Sequence, residues 1–354
     1  MPAPLRSSVV ALLGLGLACS ATPVAVDAQL DEALPSVVRV TWESAEEGVG
    51  WVRYTDSYGV KRETLAESSP TTSHSIAVLG LLPGSKAELT AIDDSDGEPK
   101  EHEAVLIDIP APSVDVPLAE ATGGDEGYLL THILTYEQID SVAVYDRRGQ
   151  PVWSYTPAEE ERILSLKMHD DGSIWFASNP SDFVNTVGHA HHVRFDGSLI
   201  ESIAIDRLHS GIVPLEDGTI AYLTKMDEEF EGRTLLWDRI EEREADGTTR
   251  VIFDIRDHLD PEQLCEHQSM TATNSGDEFF DWSHANALIL SEDGKYYYMM
   301  LRHLDTLLKI KRSNGELIWM LGGPYGEFSF TEPEDRFDHA HTSVVEQDRM
   351  LVFD

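Results

Sequence analysis

In the second half of the chain, three histidines stand near the starts of predicted strands and one arginine follows such a strand. Together these four side chains could bind and transfer an anion. His209, His284 and His341 each stand a short distance before a polar turn, and Arg302 follows the strand that His284 precedes. Imidazole can act as a nucleophile or as a general acid–base near neutral pH. Arginine binds oxyanions through its forked guanidinium. The combination predicts group transfer of an anion such as sulfate or phosphate.

These residues belong to a repeat of two hairpin types. The first type has an alternating strand, a polar turn ending in Gly and a strand that carries Trp in its clearest copies; it covers residues 141–155, 191–205, 239–255 and 306–321. The second type covers residues 164–178, 210–224 and 286–300. Two hairpins make a four-stranded sheet, the unit of a β-propeller blade. Since blades are related by rotation about a channel, the three histidines are expected to converge on one end of it.

Three further predictions concern the propeller region. A longer interval before the third hairpin of the second type predicts an insertion with a helical patch at residues 260–267. The chain stops inside another hairpin of this type, so we expect one or more closing blades to be missing. The repeat positions of Trp153, Trp175 and Trp319 predict that they belong to the cores of the blades.

The region before the propeller is predicted to be a β-sandwich of the fibronectin III or immunoglobulin type. Residues 30–110 contain short alternating strands separated by turn residues, with Trp42 as the expected core aromatic. The acidic stretch at residues 93–98 is predicted to be a solvated hairpin turn rather than a calcium loop. Residues 111–127 are predicted to be a linker, and residues 128–354 the propeller.

Residues 1–29 are predicted to be a signal peptide and an N-terminal tail. Arg6 precedes an apolar run at residues 9–18, which is too short to span a membrane and is typical of an export signal. Cys19 follows as a possible lipidation site, so both simple secretion and a lipid anchor stay open. The protein is therefore expected in the periplasm, or as a lipoprotein of the outer membrane or cell surface. Cys265 is the other cysteine and is expected to be a buried thiol.

The charge balance excludes one class of partner. The 354 residues include 64 acidic and 26 basic side chains, a formal net charge of −38. Nucleic-acid binding requires basic surface to neutralise phosphates, so no nucleic-acid partner is expected.

The stretch GHAHH at residues 188–192 is a second concentration of histidines. Alternate residues of a strand share a face, so His189, His191 and His192 could bind a metal. The sequence shows no carboxylate arrangement beside them. The stretch is therefore interpreted as a turn that leads into a strand at the propeller rim, within reach of a substrate, and no metal site is predicted.

Several segments resemble the bacterial arylsulfate sulfotransferases. The main one is DWSHAN, residues 281–286, followed by YYYMMLRHLDTLLKIKRSNGELIWMLGG. RFDHAHTSVVEQDRMLVFD at the end of the chain and LHSGIVPLEDGTIAYL, which begins at Leu208, resemble two other motifs of that family. The resemblance covers roughly residues 125–354, and an N-terminal β-sandwich also fits it.

The resemblance implies a six-bladed propeller that moves a sulfuryl group from an aryl sulfate donor to a phenolic acceptor. It implies a ping-pong reaction through a sulfohistidine, without a nucleotide sulfate donor, a cofactor or a metal, and it allows a homodimer. His341 would be the nucleophile, with Ala340 before it where relatives carry glutamine. The other implied site residues are His209, His284 and Arg302 for catalysis, and Asn286 and His339 for substrate binding.

Two other functions are compatible with the same residues. A propeller can hold a central metal with several histidines, which would make the protein a metal-dependent enzyme. The propeller could also be a non-catalytic binding module on the cell surface. Arg302 argues against the first alternative because it brings positive charge to the site.

Overall fold

The structure, a computed structural model, describes residues 24–32, 34–95, 97–111, 127–134, 140–157, 161–169, 171–180, 186–261, 270–272, 278–346 and 349–353. The predictions on Cys19, on Cys265, on most of the linker and on residues 262–267 of the helical patch lie outside this part. What is described is all-β, apart from short 3₁₀ turns at Ile255–Asp257, Arg302–Leu304 and Pro333–Asp335. None of the described helices has the length and apolarity needed to cross a membrane.

The N-terminal part is a sandwich of two antiparallel sheets. Its strands are β1 (Val26–Leu30), β2 (Val38–Gly48), β3 (Gly50–Thr55), β4 (Lys61–Glu63), β5 (Thr71–Val78), β6 (Lys86–Asp93), β7 (Lys100–Glu101) and β8 (Val105–Asp108). One sheet has the order β1-β2-β5, and the other has the order β4-β3-β6-β7 with β8 also on β6. The first sheet thus starts at Val26, ahead of the expected boundary at residue 30.

Alternation along β2 creates the core of the sandwich. Val38, Val40 and Trp42 point to the same face and pack against residues of the second sheet. Trp42, only 3% exposed, donates its indole N–H to Asp93 at 2.8 Å. Trp42 is therefore in the core, as expected, and its indole N–H has a hydrogen-bond partner.

The acidic stretch at residues 93–98 joins β6 to β7, which is the position predicted for a hairpin turn.

The remainder of the described chain is a series of antiparallel sheets. Its strands are β9 (Tyr128–Ile133), β10 (Ser141–Asp146), β11 (Pro151–Tyr155), β12 (Arg162–Met168), β13 (Ile174–Asn179), β14 (Val187–Val193), β15 (Leu199–Asp206), β16 (Leu208–Pro214), β17 (Ile220–Phe230), β18 (Arg233–Arg243), β19 (Thr249–Asp254), β20 (Met270–Ala272), β21 (Glu278–Asp281), β22 (Ala285–Leu290), β23 (Tyr296–Leu301), β24 (Thr306–Lys311), β25 (Leu317–Leu321), β26 (Thr342–Val345) and β27 (Met350–Phe353).

Both predicted hairpin types are confirmed and combine as expected. The chain meanders through β12 to β15, through β16 to β19 and through β22 to β25, each forming a four-stranded unit. The first strands of successive units touch one another, with β12 against β16, β16 against β22 and β22 against β26. A Cβ atom on Gly211 would come within 2.8 Å of the backbone nitrogen of Leu288, so β16 and β22 approach closely. Sheets arranged side by side through their first strands are the architecture of a propeller.

The insertion after β19 contains strands in its described part. After the 3₁₀ turn at Ile255–Asp257, β20 and β21 pair with each other, and β21 adds in parallel to β18. This pairing places Asp281, the last residue of β21, beside the start of β22. The insertion thus delivers a residue to the site described below.

Two of the three predicted core tryptophans are buried. Trp153 and Trp175 are 3% and 4% exposed, respectively. Trp319 is only partly buried and packs against the hydrophobic core of its blade. The centroid of its ring lies 5.9 Å from that of Tyr298.

Candidate active site

The starts of the first strands share a backbone irregularity that turns side chains toward one another. The pairing register shifts near the beginning of β12, of β16 and of β22. In β22 the shift leaves Asn286 as an extra residue between the paired Ala285 and Ala287. Such β-bulges bend a strand and redirect its side chains, and they are frequent beside active sites.

The predicted register of the three histidines is only partly correct. His284 and His341 each stand immediately before their strands, β22 and β26. His209 is instead the second residue of β16. It nevertheless reaches the same place, because its ring meets that of His284 edge to face at 5.5 Å between centroids.

Four imidazoles form a continuous row, which we call the histidine row: His209, His284, His303 and His339. The ring of His303 stacks on His284 at 4.5 Å and lies 5.8 Å from His339. The backbone of this region is strained, since His284 and His339 have φ angles of +44° and +56°. Left-handed φ angles in non-glycine residues cost energy and cluster at functional sites.

His284 is oriented by a buried carboxylate. Its Nδ1 lies 2.5 Å from Oδ2 of Asp281, whose other oxygen accepts a hydrogen bond from Lys225 at 2.6 Å. Burial opposes ionisation of Asp281, but Lys225 and His284 hold the pKa of that carboxyl well below its usual range. Because an ionised carboxylate only accepts, Nδ1 of His284 carries a proton and Nε2 is the atom left for chemistry.

The pKa of His284 itself is lowered. Burial is the main cause, and the charge of Lys225 acts in the same direction, while the hydrogen bond to Asp281 acts against both. The ring is therefore neutral at pH 7, with a lone pair on Nε2 that can accept a proton.

His209 is held in the same way by a second carboxylate. Its Nδ1 lies 2.6 Å from Oδ1 of the fully buried Asp238. Oδ2 of Asp238 accepts hydrogen bonds from Ser283 at 2.7 Å and from the backbone of Ala285 at 2.8 Å. Burial would raise the pKa of Asp238, but His209 and Lys225 lower it to about 2. Two aspartate–histidine pairs thus share Lys225.

Arg302 brings a positive charge to the histidine row. Its Nη1 donates to Nε2 of His303 at 3.1 Å, and Nδ1 of His303 donates to the carbonyl of Asp281 at 2.6 Å. Burial and the proximity of His284 lower the pKa of His303 to about 4, so this ring is neutral. Within the described residues, the Arg302 guanidinium thus contacts a neutral ring rather than a carboxylate, which keeps its charge available for an anion.

His341 lies within electrostatic range of Arg302. Its backbone N–H donates to the carbonyl of Phe353 at 2.9 Å, which fixes it at the start of β26, and its side chain is exposed. Partial burial of the ring and the charge of Arg302 lower the pKa of His341. A neutral imidazole is the form that can act as a nucleophile. His132 of β9 also lies within electrostatic range of His341.

The two predicted substrate-binding residues lie in this region. Nδ2 of Asn286 is buried and has no hydrogen-bond partner among the described residues, so it is a donor available to a ligand. The backbone of His339 is fixed by a hydrogen bond to Oδ1 of Asp305 at 2.7 Å. Ala340 is fully buried behind it.

Sequence reasoning missed the residues that support this site. Lys225, Asp238 and His303 were not singled out, although all three are buried polar residues within or beside apolar strands. A charged residue in an otherwise apolar strand was the available signal, since such residues are rarely buried without a partner. That signal applies to Lys225, which follows the apolar run IAYLT.

The conclusion about the second group of histidines was wrong in two respects. These histidines lie within β14, between β13 and β15, rather than in a turn before a strand. A carboxylate does lie beside them: Oε1 of Glu161 is 3.0 Å from Nδ1 of His189, and Oε2 is 4.0 Å from Nε2 of His191. His192 points to the opposite face of β14 and stacks on Trp175 at 4.3 Å. Burial and the neighbouring His189 lower the pKa of His191.

The fold and the site together define a β-propeller protein with a histidine and arginine centre suited to an anion. The profile of the arylsulfotransferase (ASST) family matches residues 114–345, more than half of the chain. The chain belongs to the arylsulfotransferase family. This membership gives sulfuryl transfer as the general activity of the protein.

Comparisons with solved structures give distant likenesses. A protein of unknown function from Bacteroides caccae is 9% identical, over 69% of this chain and 71% of the other, with a TM-score of 0.33. A luciferin-regenerating enzyme is 13% identical, over 68% and 73%, with a TM-score of 0.37. Hydrazine synthase of Kuenenia stuttgartiensis is 13% identical, over 78% and 74%, with a TM-score of 0.35. These scores are too low to support an argument, and no curated protein matches the chain.

Proposed function

We propose that this protein transfers a sulfuryl group from an aryl sulfate to a phenol through a covalent sulfohistidine at His341, with no nucleotide donor. The observation that carries the proposal is the position of Arg302, which contacts the histidine row through His303 and lies within electrostatic range of His341. A nucleophile, an unneutralised cation and oriented imidazoles are the groups that such a transfer requires.

In the first half-reaction, an imidazole nitrogen of His341 attacks sulfur with its lone pair as the bond from sulfur to the aryl oxygen breaks. The aryl oxygen takes that electron pair and leaves as a phenolate, which takes a proton from solvent water after release. Arg302 stabilises the sulfuryl oxygens. Nδ2 of Asn286, which has no hydrogen-bond partner in the described part of the chain, can donate a further hydrogen bond to them.

In the second half-reaction, a phenol oxygen attacks the same sulfur as the bond between nitrogen and sulfur breaks, which regenerates His341. The phenol must lose its proton. Nε2 of His284 can accept it, because its partner Asp281 stabilises the imidazolium that forms. His209, whose Nδ1 is held by Asp238, is assigned to bind the sulfuryl oxygens in the state in which Nε2 carries a proton.

Initial-rate kinetics test this mechanism. With 4-nitrophenyl sulfate as donor and a phenol as acceptor, a covalent intermediate predicts parallel lines in double-reciprocal plots and no need for a nucleotide or an added metal. Intersecting lines would mean that both substrates bind before transfer, and would contradict the sulfohistidine. Dependence on added metal would favour the metal-dependent alternative.

We further propose that the chain is exported, with or without a lipid anchor at Cys19. In a bacterial host fed labelled palmitate, label that disappears in Cys19→Ser would show a lipoprotein. Cleavage without label would show simple secretion. An uncleaved chain in the cytoplasmic fraction would contradict export.

A further inference from the structure

Glu161, His189 and His191 bring three metal-binding atoms together in the blade formed by β12 to β15. Glu161 immediately precedes β12 and is 7% exposed. His189 and His191 are alternate residues of β14, so their side chains lie on one face of the sheet. One ligand atom from each of the three residues lies within 4.8 Å of the other two. We call this group the β14 cluster.

The donor set and its spacing suit a small transition-metal ion. Zinc binds imidazole nitrogen and carboxylate oxygen at about 2.0–2.2 Å, so ligand atoms around a tetrahedral ion are roughly 3.3 Å apart. The distances from Glu161 to His189 and to His191, 3.0 and 4.0 Å, lie on either side of that value. Small side-chain movements would bring all three atoms to one ion, with a fourth position open to water.

We propose that Glu161, His189 and His191 form a binding site for a divalent transition-metal ion, with zinc as the ion that these ligands fit best. The site is separate from the residues assigned to sulfuryl transfer, and the proposal does not depend on that function.

Ser178 of β13 supplies the support that metal ligands usually have. Its hydroxyl donates to Oε2 of Glu161 and lies 2.9 Å from Nε2 of His191. Without an ion, Nε2 of His191 donates to this hydroxyl and Nδ1 of His189 donates to Glu161. When the ion binds, each ring carries its proton on the other nitrogen, while Ser178 continues to orient the carboxylate.

The position of the site gives the ion a structural consequence. A bound ion would tie the start of β12 to β14, with Ser178 of the intervening strand β13 bonded to two of its ligands. Glu161 stands before β12 as His284 stands before β22, which places the ion at the end of the propeller that carries the histidine row. An ion bound only by the folded state raises its thermal stability.

Cobalt titration of the metal-free protein tests the proposal. We expect one equivalent of Co²⁺ to produce visible d–d absorption, Zn²⁺ to displace it, and Zn²⁺ to raise Tm. Glu161→Gln and His191→Ala should abolish the absorption and the rise in Tm. Glu161→Gln is close in shape to the wild type, so it keeps the test valid if His191→Ala fails to fold.

Two other variants serve as matched controls. His192→Ala removes a histidine from the opposite face of the same strand, and His284→Ala removes one from the histidine row; both should keep the Co²⁺ signal. The proposal is overturned if folded wild type gives no stoichiometric signal, or if Glu161→Gln and His191→Ala bind as wild type does. Loss of the Co²⁺ signal in His192→Ala or His284→Ala, with the signal kept in Glu161→Gln and His191→Ala, would show that the ion binds elsewhere and would also overturn the proposal.

Discussion

The histidine row and the β14 cluster lie at the same end of the propeller and both contact carboxylates, yet they differ in the cations beside them. Beside the row, Arg302 contacts a neutral imidazole. Lys225 donates to Asp281 and lies within electrostatic range of Asp238, and both of these carboxylates are bonded to histidines. In the β14 cluster, the described partners of the imidazoles are the carboxylate of Glu161 and the hydroxyl of Ser178.

This difference shows that the neighbours of a histidine, more than the histidine itself, decide which ligand it favours. Imidazole next to an unneutralised guanidinium favours an anion such as a sulfuryl group. Imidazole next to an unneutralised carboxylate favours a metal cation. Counting histidines in the sequence cannot separate the two cases, whereas the balance of cations and carboxylates around the rings can.

The largest expected effect is the loss of the nucleophile. His341→Ala should lower kcat for 4-nitrophenyl sulfate at least about 1,000-fold, because the covalent step has no substitute. His258→Ala is the matched control, since His258 stacks on Phe253 at 4.5 Å and takes no part in the site. A His341→Ala variant that keeps a tenth of wild-type turnover would contradict the assignment.

The next effect concerns the lysine that both aspartates share. Lys225→Met should lower the free energy of unfolding by about 3 kcal/mol or more, because Asp238 and Asp281 would be left as buried charges without their cation. Urea denaturation measures the change. Lys295→Met removes an exposed lysine paired with Asp293 and should leave stability unchanged. An equal change in the free energy of unfolding for the two substitutions would mean that the ion pair of Lys225 does not stabilise the fold.

Replacing the cation of the row should weaken catalysis and move its pH dependence. Arg302→Gln should lower kcat/KM about 30-fold, since hydrogen bonds to a charged group contribute about 2 kcal/mol. Arg302 lowers the pKa of His341, so its removal should raise that pKa and shift the acidic limb of the pH–rate profile to higher pH. An acidic limb that stays in place would show that His341 is not the titrating group.

A smaller effect is expected for Ser283, which contacts Asp238 and not the reacting groups. Ser283→Ala removes two hydrogen bonds, the one that its hydroxyl donates to Oδ2 of Asp238 and the one that it accepts from the backbone N–H of Asp238, but leaves that from the backbone of Ala285. We expect a loss of about 2 kcal/mol in stability and only a minor change in kcat. A loss of activity as large as that of Arg302→Gln would give Ser283 a role beyond orienting Asp238.

Most of the fold could be predicted because its signals are local. Each hairpin is indicated within about fifteen residues by alternating apolar and polar residues and by a turn glycine such as Gly172, Gly218 or Gly294. The strands lie where these patterns predict them. The strands β20 and β21 were not predicted. Their pairing with β18 depends on a long-range contact that no local pattern encodes.

The site was predicted less completely, for the same reason. His209, His284 and Arg302 could be found from their places in the repeat. Lys225 reaches Asp281, 56 residues away, through the packing of the insertion against β18. Glu161 meets His189 across 28 residues, so its carboxylate was not recognised as a partner of that histidine.

The central claim is the covalent intermediate at His341. Protein incubated with 4-nitrophenyl sulfate in the absence of a phenol acceptor, then digested and analysed by mass spectrometry under mildly alkaline conditions, should carry one sulfuryl group on the peptide that contains His341. Addition of the acceptor should remove it. A sulfuryl group on another histidine, or none on an enzyme that turns over, would contradict the account.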